Sequence, residues 1–268
     1  MEIEKIVREI KKKNSFLCVG LDSDVSKIPS HFKQSSLPLF EFNKFIIEST
    51  HEYCIAYKIN TAFYESRGVT GWKELESTIS YLNEKHPDHF TIADAKRGDI
   101  GNTSKMYGET FFNHMKFDSI TVSPYMGYDS VSPFLEYKDK WTILLALTSN
   151  NGSNDFQKQI SDNQFLFEKV LETSKKWSDN IMWVVGATNS DLLRKVREII
   201  PNGFILVPGV GFQGGSLDEV VKYGMNSNCG LIVNSSRNII YSSDPKLEAQ
   251  KIQKEMEVHL RTTFQQSL

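Results

Sequence analysis

The chain has 268 residues, 40% of them hydrophobic and 24% charged, with a formal net charge of −2. That length suits one large domain or two small ones, with enough apolar residues for a sizeable core. The near-neutral balance excludes a global pull toward nucleic acid or a membrane surface, and no stretch approaches the roughly 18 apolar residues of a membrane span.

In chain order, residues 1–13 form an amphipathic segment with Ile3, Ile6, Val7 and Ile10 on one face. It ends in Lys11, Lys12 and Lys13, cations suited to a helix C-terminus. It lacks the continuous apolar stretch of a signal peptide, so the reading is a cytosolic chain. Cys18, Cys54 and Cys229 show neither disulfide nor zinc spacing and read as small hydrophobes. Short apolar runs of strand length occur at 16–21, 54–59, 90–93, 119–122, 142–147, 182–186, 204–207 and 230–233. Helical patterns lie between and after them, at 39–51, 72–85, 103–115, 130–136, 163–177, 190–199, 216–223 and 245–260. The runs are rich in Ile, Val and Leu and nearly unbroken in apolarity, as strands covered on both faces of a parallel sheet are. Eight β-α units predict a closed (β/α)8 TIM barrel with an extra N-terminal helix; a doubly wound open sheet is the competitor. No linker or composition break appears, so residues 1–268 are expected to form a single domain. The polar stretch 149–155 is the best candidate for a mobile loop.

A barrel should gather its functional side chains where strands end and βα-loops begin. Polar residues stand at nearly every such point: Asp22, Lys58 and Asn60, then Asp94, Lys96 and Asp99, then Ser123, Thr148 and Ser149, and finally Ser235, Ser236 and Arg237. The most informative stretch is Asp94-Ala95-Lys96-Arg97-Gly98-Asp99. Side chains at i and i+2 of a strand share a face, so Asp94 and Lys96 point the same way, while Asp99 lies past a glycine. A bare D-x-K-x-x-D also describes a surface salt-bridge cluster, but the charge gathered on one rim favours a site.

After the seventh strand, Pro208-Gly209-Val210-Gly211-Phe212-Gln213-Gly214-Gly215 matches G-x-G-x-x-G. A dinucleotide site wants that motif after the first strand of a βαβ unit, with an acidic residue about 20 positions on, and neither condition holds. A phosphate loop suits the position better, because bare backbone N–H groups cradle an anion and barrels bind phosphate after strands seven and eight. Arg237 could add a forked cationic contact. The six histidines show no ligand spacing; His86 and His89, flanking Pro87 and Asp88, read as surface residues.

Several motifs together carry a resemblance: DAKRGDIGNT from Asp94, Tyr57-Lys58-Ile59-Asn60, PGVGFQGG from Pro208, Ser236-Arg237, TVSPYMG from Thr121 and LTSNNGSNDFQ from Leu147. In their order along the chain they resemble the orotidine 5′-phosphate decarboxylases, in the longer bacterial and protozoan branch, over roughly residues 21–241. The resemblance implies decarboxylation of orotidine 5′-monophosphate to UMP and CO2, the last step of de novo pyrimidine synthesis, without a cofactor or metal. Lys58, Asp94, Lys96 and Asp99 match the family's catalytic tetrad, with Lys96 as proton donor. Asp99 and Thr103 match residues that reach the neighbouring site of a homodimer. Asp22 and Asn60 match ribose contacts, Ser149 a residue that reads the pyrimidine edge, and Pro208 one beside the base. Gln213 and Arg237 match phosphate binders. Two positions depart from the pattern: Asn238 stands where a small residue is expected, and Ser123 where relatives often carry Asn.

Two alternatives remain at this point. One is a Mg2+-dependent sugar-phosphate enzyme of the same barrel superfamily, against which Lys58 argues because an ammonium repels a metal. The other is a non-catalytic nucleotide-binding barrel, against which the intact tetrad argues.

Overall fold

The computed structural model describes residues 1–210 and 215–265. Eight parallel strands close into a barrel: β1 Leu17–Gly20, β2 Ala56–Asn60, β3 Phe90–Arg97, β4 Ser119–Val122, β5 Trp141–Leu147, β6 Ile181–Val185, β7 Ile205–Pro208 and β8 Leu231–Ser235. Closure is made by β1 and β8, with Cys18 opposite Asn234 and Val19 opposite Ser235. The open-sheet alternative is thereby removed. The strands are buried along nearly their whole length, as their unbroken Ile, Val and Leu content requires when helices cover the barrel's outer face.

The principal helices follow the strands around the outside. They are α1 Ile3–Lys13, α2 Pro38–Thr50, α3 Gly68–Lys85, α4 Gly101–Gly108, α5 Tyr128–Leu135, α6 Leu166–Ser174, α7 Ser190–Ile199, α8 Leu217–Gly224 and α9 Pro245–Gln265. α4 continues as a wider π-helical turn over Glu109–His114. α6 starts later than its periodicity suggests. Residues 164–165 pair instead with 160–161 in a small hairpin, and the Phe165 N–H is capped by Glu168 at 2.7 Å. Among the described residues, no helix is long and apolar enough to cross a membrane.

α1 seals the barrel floor, where the strands begin. Ile6 and Ile10 are buried, the Met1 ammonium donates to Asp118 at 3.2 Å, and Trp141 Nε1 donates to the Met1 carbonyl at 2.7 Å. At the helix end, Lys13 Nζ donates to the carbonyls of His51 (2.8 Å) and Cys54 (2.9 Å) and approaches His89 Nε2 at 2.8 Å. This corrects the expectation for His89, which is buried rather than on the surface. The turn His86-Pro87-Asp88-His89 stays at the surface, but its last residue points inward, where the His89 ring packs on Tyr57 and meets Lys13. Burial first, and Lys13 second, push its pKa down to about 3. All three cysteines are buried free thiols, as small hydrophobes in or beside strands should be.

Two glycines fix the other end of the barrel. A side chain on Gly20 would meet Ser236 Oγ at 1.9 Å, so the closure between β1 and β8 needs a residue without Cβ. A Cβ on Gly186 would lie 2.7 Å from the Ser149 backbone, and its absence lets the loop after β5 settle against the end of β6.

Candidate active site

The C-terminal ends of the strands surround a cavity of about 410 Å3. Its wall includes Asp22, Lys58, Asn60, Asp94, Lys96 and Ser149. Pro208, Gly209, Val210 and Arg237 close the side toward β7 and β8. Eight of the eleven residues singled out from sequence therefore meet in one place. Asp99 and Thr103 are not on the wall of this chain's own cavity; both lie outside it, on the turn after β3 and in α4. Gln213 lies outside the described residues.

The charged groups alternate in sign. Lys58 Nζ sits between two carboxylates, 3.2 Å from Asp22 Oδ1 and 3.1 Å from Asp94 Oδ2. Asp94 Oδ1 accepts in turn from Lys96 Nζ at 2.6 Å. Lys58 and Asp94 are almost fully buried, whereas the Lys96 side chain is half exposed to the cavity mouth. Burial alone would push the Asp94 carboxyl up, but the ammonium groups of Lys58 and Lys96 hold it well below the usual carboxylate range. Burial alone would likewise lower Lys58; Asp22 and Asp94 instead raise it well above its ordinary value. At neutral pH both stay charged. A buried ion that loses its partner costs about 3–5 kcal/mol, so each group is held in place by the next.

β3 achieves this with a broken ladder. Its apolar run ends at residue 93, and the strand continues to Arg97 through a register shift between Ala93 and Arg97. Within the shift Lys96 adopts φ +46°, a left-handed conformation that costs a residue with a side chain about 1–2 kcal/mol. Simple alternation gives Asp94 and Lys96 a common face; the bulge is what brings Lys96 Nζ back onto Asp94. Thr121 on β4 supports it: the Lys96 N–H donates to Thr121 Oγ1 at 2.9 Å, and the Thr121 hydroxyl donates to Asp94 Oδ1 at 2.9 Å.

The loop after β5 is tied down at its base. Thr148 N donates to Gln157 Oε1 at 2.7 Å, Asn151–Asn154 form a 3-10 turn, and Ser153 is buried. Sequence reading missed Thr121 and Asn234. Asn234 lines the cavity from β8, with its Nδ2 donating to Ser236 Oγ at 3.1 Å and its Oδ1 buried without a partner. Thr121 opens the TVSPYMG motif, which gave it no role, and the signal for Asn234 was a polar residue just after an apolar strand run.

The family model described as orotidine 5′-phosphate decarboxylase / HUMPS matches residues 15–252. The chain belongs to that family. It is 58% identical over 267 residues to an orotidine 5′-phosphate decarboxylase of Phocaeicola vulgatus, covering 96% of this chain and 98% of that one. A Christiangramia forsetii protein of the same name is 60% identical over 246 residues, covering 91% and 90%. Among solved structures, the OMP decarboxylase of Leishmania donovani superposes with a TM-score of 0.86 at 36% identity, covering 97% of this chain and 98% of that one.

Asp22, Lys58, Asp94 and Lys96 stand together on the cavity wall, and that geometry bears on the metal-dependent alternative. The space between Asp22 and Asp94, where two carboxylates would grip a divalent cation, is filled by the Lys58 ammonium. Among the described residues, no group of three or more His, Cys, Asp or Glu side chains is placed to hold a metal ion.

Proposed function

We propose that the chain decarboxylates orotidine 5′-monophosphate to UMP, using fixed charges of its own. The observation that carries this reading is the Asp22–Lys58–Asp94–Lys96 array, alternating in sign at the wall of a nucleotide-sized cavity. Loss of CO2 from C6 of the pyrimidine breaks the C6–carboxyl bond and leaves its electron pair in the ring plane, where no adjacent carbonyl delocalises it. A preset cation stabilises such a pair without reorganising at the moment of reaction. Lys96 is that cation, and its ammonium then gives a proton to C6. Its half-exposed side chain allows it to regain the proton from water. Asp94, kept ionised by its neighbours, faces the substrate carboxylate. Two like charges about 4 Å apart at an effective dielectric near 20 repel by roughly 4 kcal/mol, and departure of CO2 relieves this.

The remaining roles follow position. Asp22 and Asn60 contact the ribose, Ser149 the pyrimidine edge, and Pro208 the face of the base. Gln213, Arg237 and the backbone at Gly209 and Val210 hold the phosphate. Phosphate binding far from C6 can organise the closed site and so raise kcat. Segment 149–155 is a closing element.

A homodimer completes the reading. Lys96 presents its exposed side to the cavity mouth, and the next charge in the alternating series is an acid, supplied by the partner subunit's Asp99 with the partner subunit's Thr103 beside it. The surface carrying Asp99 and Thr103 also exposes large apolar side chains: Ile100, Met106, Tyr125 and Met126 are each 46–80% exposed. Free, buried thiols suit the reducing cytosol, where the proposal puts the chain.

An ultraviolet assay with orotidine 5′-monophosphate and EDTA tests the reaction. Rapid conversion by the wild type and loss in Lys96→Ala, with UMP binding retained, are expected. A folded wild type that leaves the substrate intact sinks the assignment. For the dimer, Lys96→Ala and Asp99→Ala are each inactive alone. Mixing them restores up to about a quarter of the wild-type sites if Asp99 acts across a two-fold interface; no recovery after verified subunit exchange rules that out.

A further inference from the structure

Thr121 lies behind the cavity wall, third in β4 and 1% exposed. Its hydroxyl makes two contacts of 2.9 Å, one with the Lys96 N–H and one with Asp94 Oδ1. An amide N–H can only donate and an ionised carboxylate can only accept, so the single hydroxyl proton is committed to Asp94. Asp94 Oδ1 also accepts from Lys96 Nζ at 2.6 Å. The contacts close a ring that runs from the Lys96 backbone through Thr121 and Asp94 to the Lys96 ammonium. The ring lies where β3 shifts register and Lys96 takes its left-handed conformation, so the ordinary ladder does not supply that N–H with a partner.

We propose that Thr121 is a positioning residue for the decarboxylation: its hydroxyl holds Lys96 at both ends and so sets the reach of the Lys96 ammonium toward C6. This rests on the reading of Lys96 as proton donor. Valine would fill the same volume but offer neither bond, leaving a buried N–H and one carboxylate lone pair unmet. The Lys96 backbone would then relax and its ammonium would move. Misplacement of a reacting group by about 1 Å lowers rates by about 100-fold. Phosphate and ribose contacts come from other elements and stay in place. The proposed effect therefore falls on kcat.

The test compares wild type, Thr121→Ser and Thr121→Val by steady-state decarboxylation, UMP affinity and deuterium exchange at C6 of UMP in D2O. The exchange reports the Lys96–C6 proton transfer separately from loss of CO2. Expected are a fall in kcat of about 100-fold in Thr121→Val, a parallel fall in exchange, UMP affinity within about threefold, and Thr121→Ser within about fivefold of wild type. Wild-type kcat in Thr121→Val, or a Thr121→Ser variant as impaired as Thr121→Val, overturns the proposal. Should Thr121→Val not fold, Thr121→Cys keeps the shape with a poor donor, and full activity there overturns it equally. A folded wild type inert toward orotidine 5′-monophosphate is a different failure, because it removes the functional reading itself.

Discussion

Each end of the barrel draws a lysine at least partly out of water, and the two are treated in opposite ways. At the C-terminal rim, Lys58 is clasped by two carboxylates and raised above its ordinary pKa. At the floor, Lys13 is half-buried among neutral acceptors, the carbonyls of His51 and Cys54 and the ring of His89, and desolvation lowers it. Full charges of alternating sign sustain a strong local field that can act on a substrate. Carbonyl dipoles satisfy an ammonium's three donors but leave no such alternating field. A buried cation by itself therefore says little about function; what it is paired with, and whether a cavity reaches it, says more.

The largest expected difference between the ends is catalytic. Lys58→Met should lower kcat by roughly 1,000-fold, since it removes a preorganised cation and leaves Asp22 and Asp94 facing each other. Lys13→Met should leave kcat of the folded protein within about twofold, its site being at the opposite end of the strands. Comparable losses in both would erase the distinction drawn here. Lys13→Met should show in stability instead: two carbonyls and a ring nitrogen lose their donor, at a cost of about 2 kcal/mol, or about 4–6 °C in thermal midpoint by calorimetry. An unchanged midpoint would mean that water replaces the ammonium at the floor.

Acidification separates the ends further. His89 is held neutral in the folded state, its pKa pushed down from 6.5 to about 3 by burial and then by Lys13, with His51, His86 and Tyr57 also packed on its ring. Below pH 6.5 the unfolded chain binds a proton at this position that the folded one refuses. Stability therefore falls as pH drops from 6.5 toward 3, by up to about 1.4 kcal/mol per pH unit. His89→Gln, which keeps an acceptor for Lys13 without titrating, should flatten this limb in urea titrations at several pH values; an unchanged slope would assign the acid sensitivity elsewhere. The rim stays silent down to about pH 4. The lowered Asp94 contributes stability that is fully present above its ordinary value of 3.8 and is lost progressively below it, as pH falls toward the folded value. The raised Lys58 contributes stability that is present below 10.5 and lost only as pH climbs beyond it. The smallest effect belongs to the exposed Lys5–Asp88 pair at 2.8 Å, beside the floor. Lys5→Ala should change stability by less than about 1 kcal/mol, and a larger loss would show that Asp88 helps hold the turn around His89.

The strands and most helices could be read from the sequence because apolarity and period are local properties, and closure of eight β-α units followed from their number. The cavity residues were legible for the same reason: Asp22, Lys58, Asn60, Asp94, Lys96, Ser149, Pro208 and Arg237 each stand at a strand end, and the barrel brings strand ends together. Three features depended on contacts between distant segments. His89 looks like a turn residue until α1 delivers Lys13 to it from 76 positions away. Thr121 looks like a strand residue until the bulge in β3 offers it a backbone N–H from the neighbouring strand. The bulge is invisible to a period-2 pattern, because one displaced residue changes register without changing composition. Sequence determined which groups the rim would carry. Tertiary structure decided their spacing to within a hydrogen bond, because burial and pairing across strands set which charges meet and which protonation state each one holds.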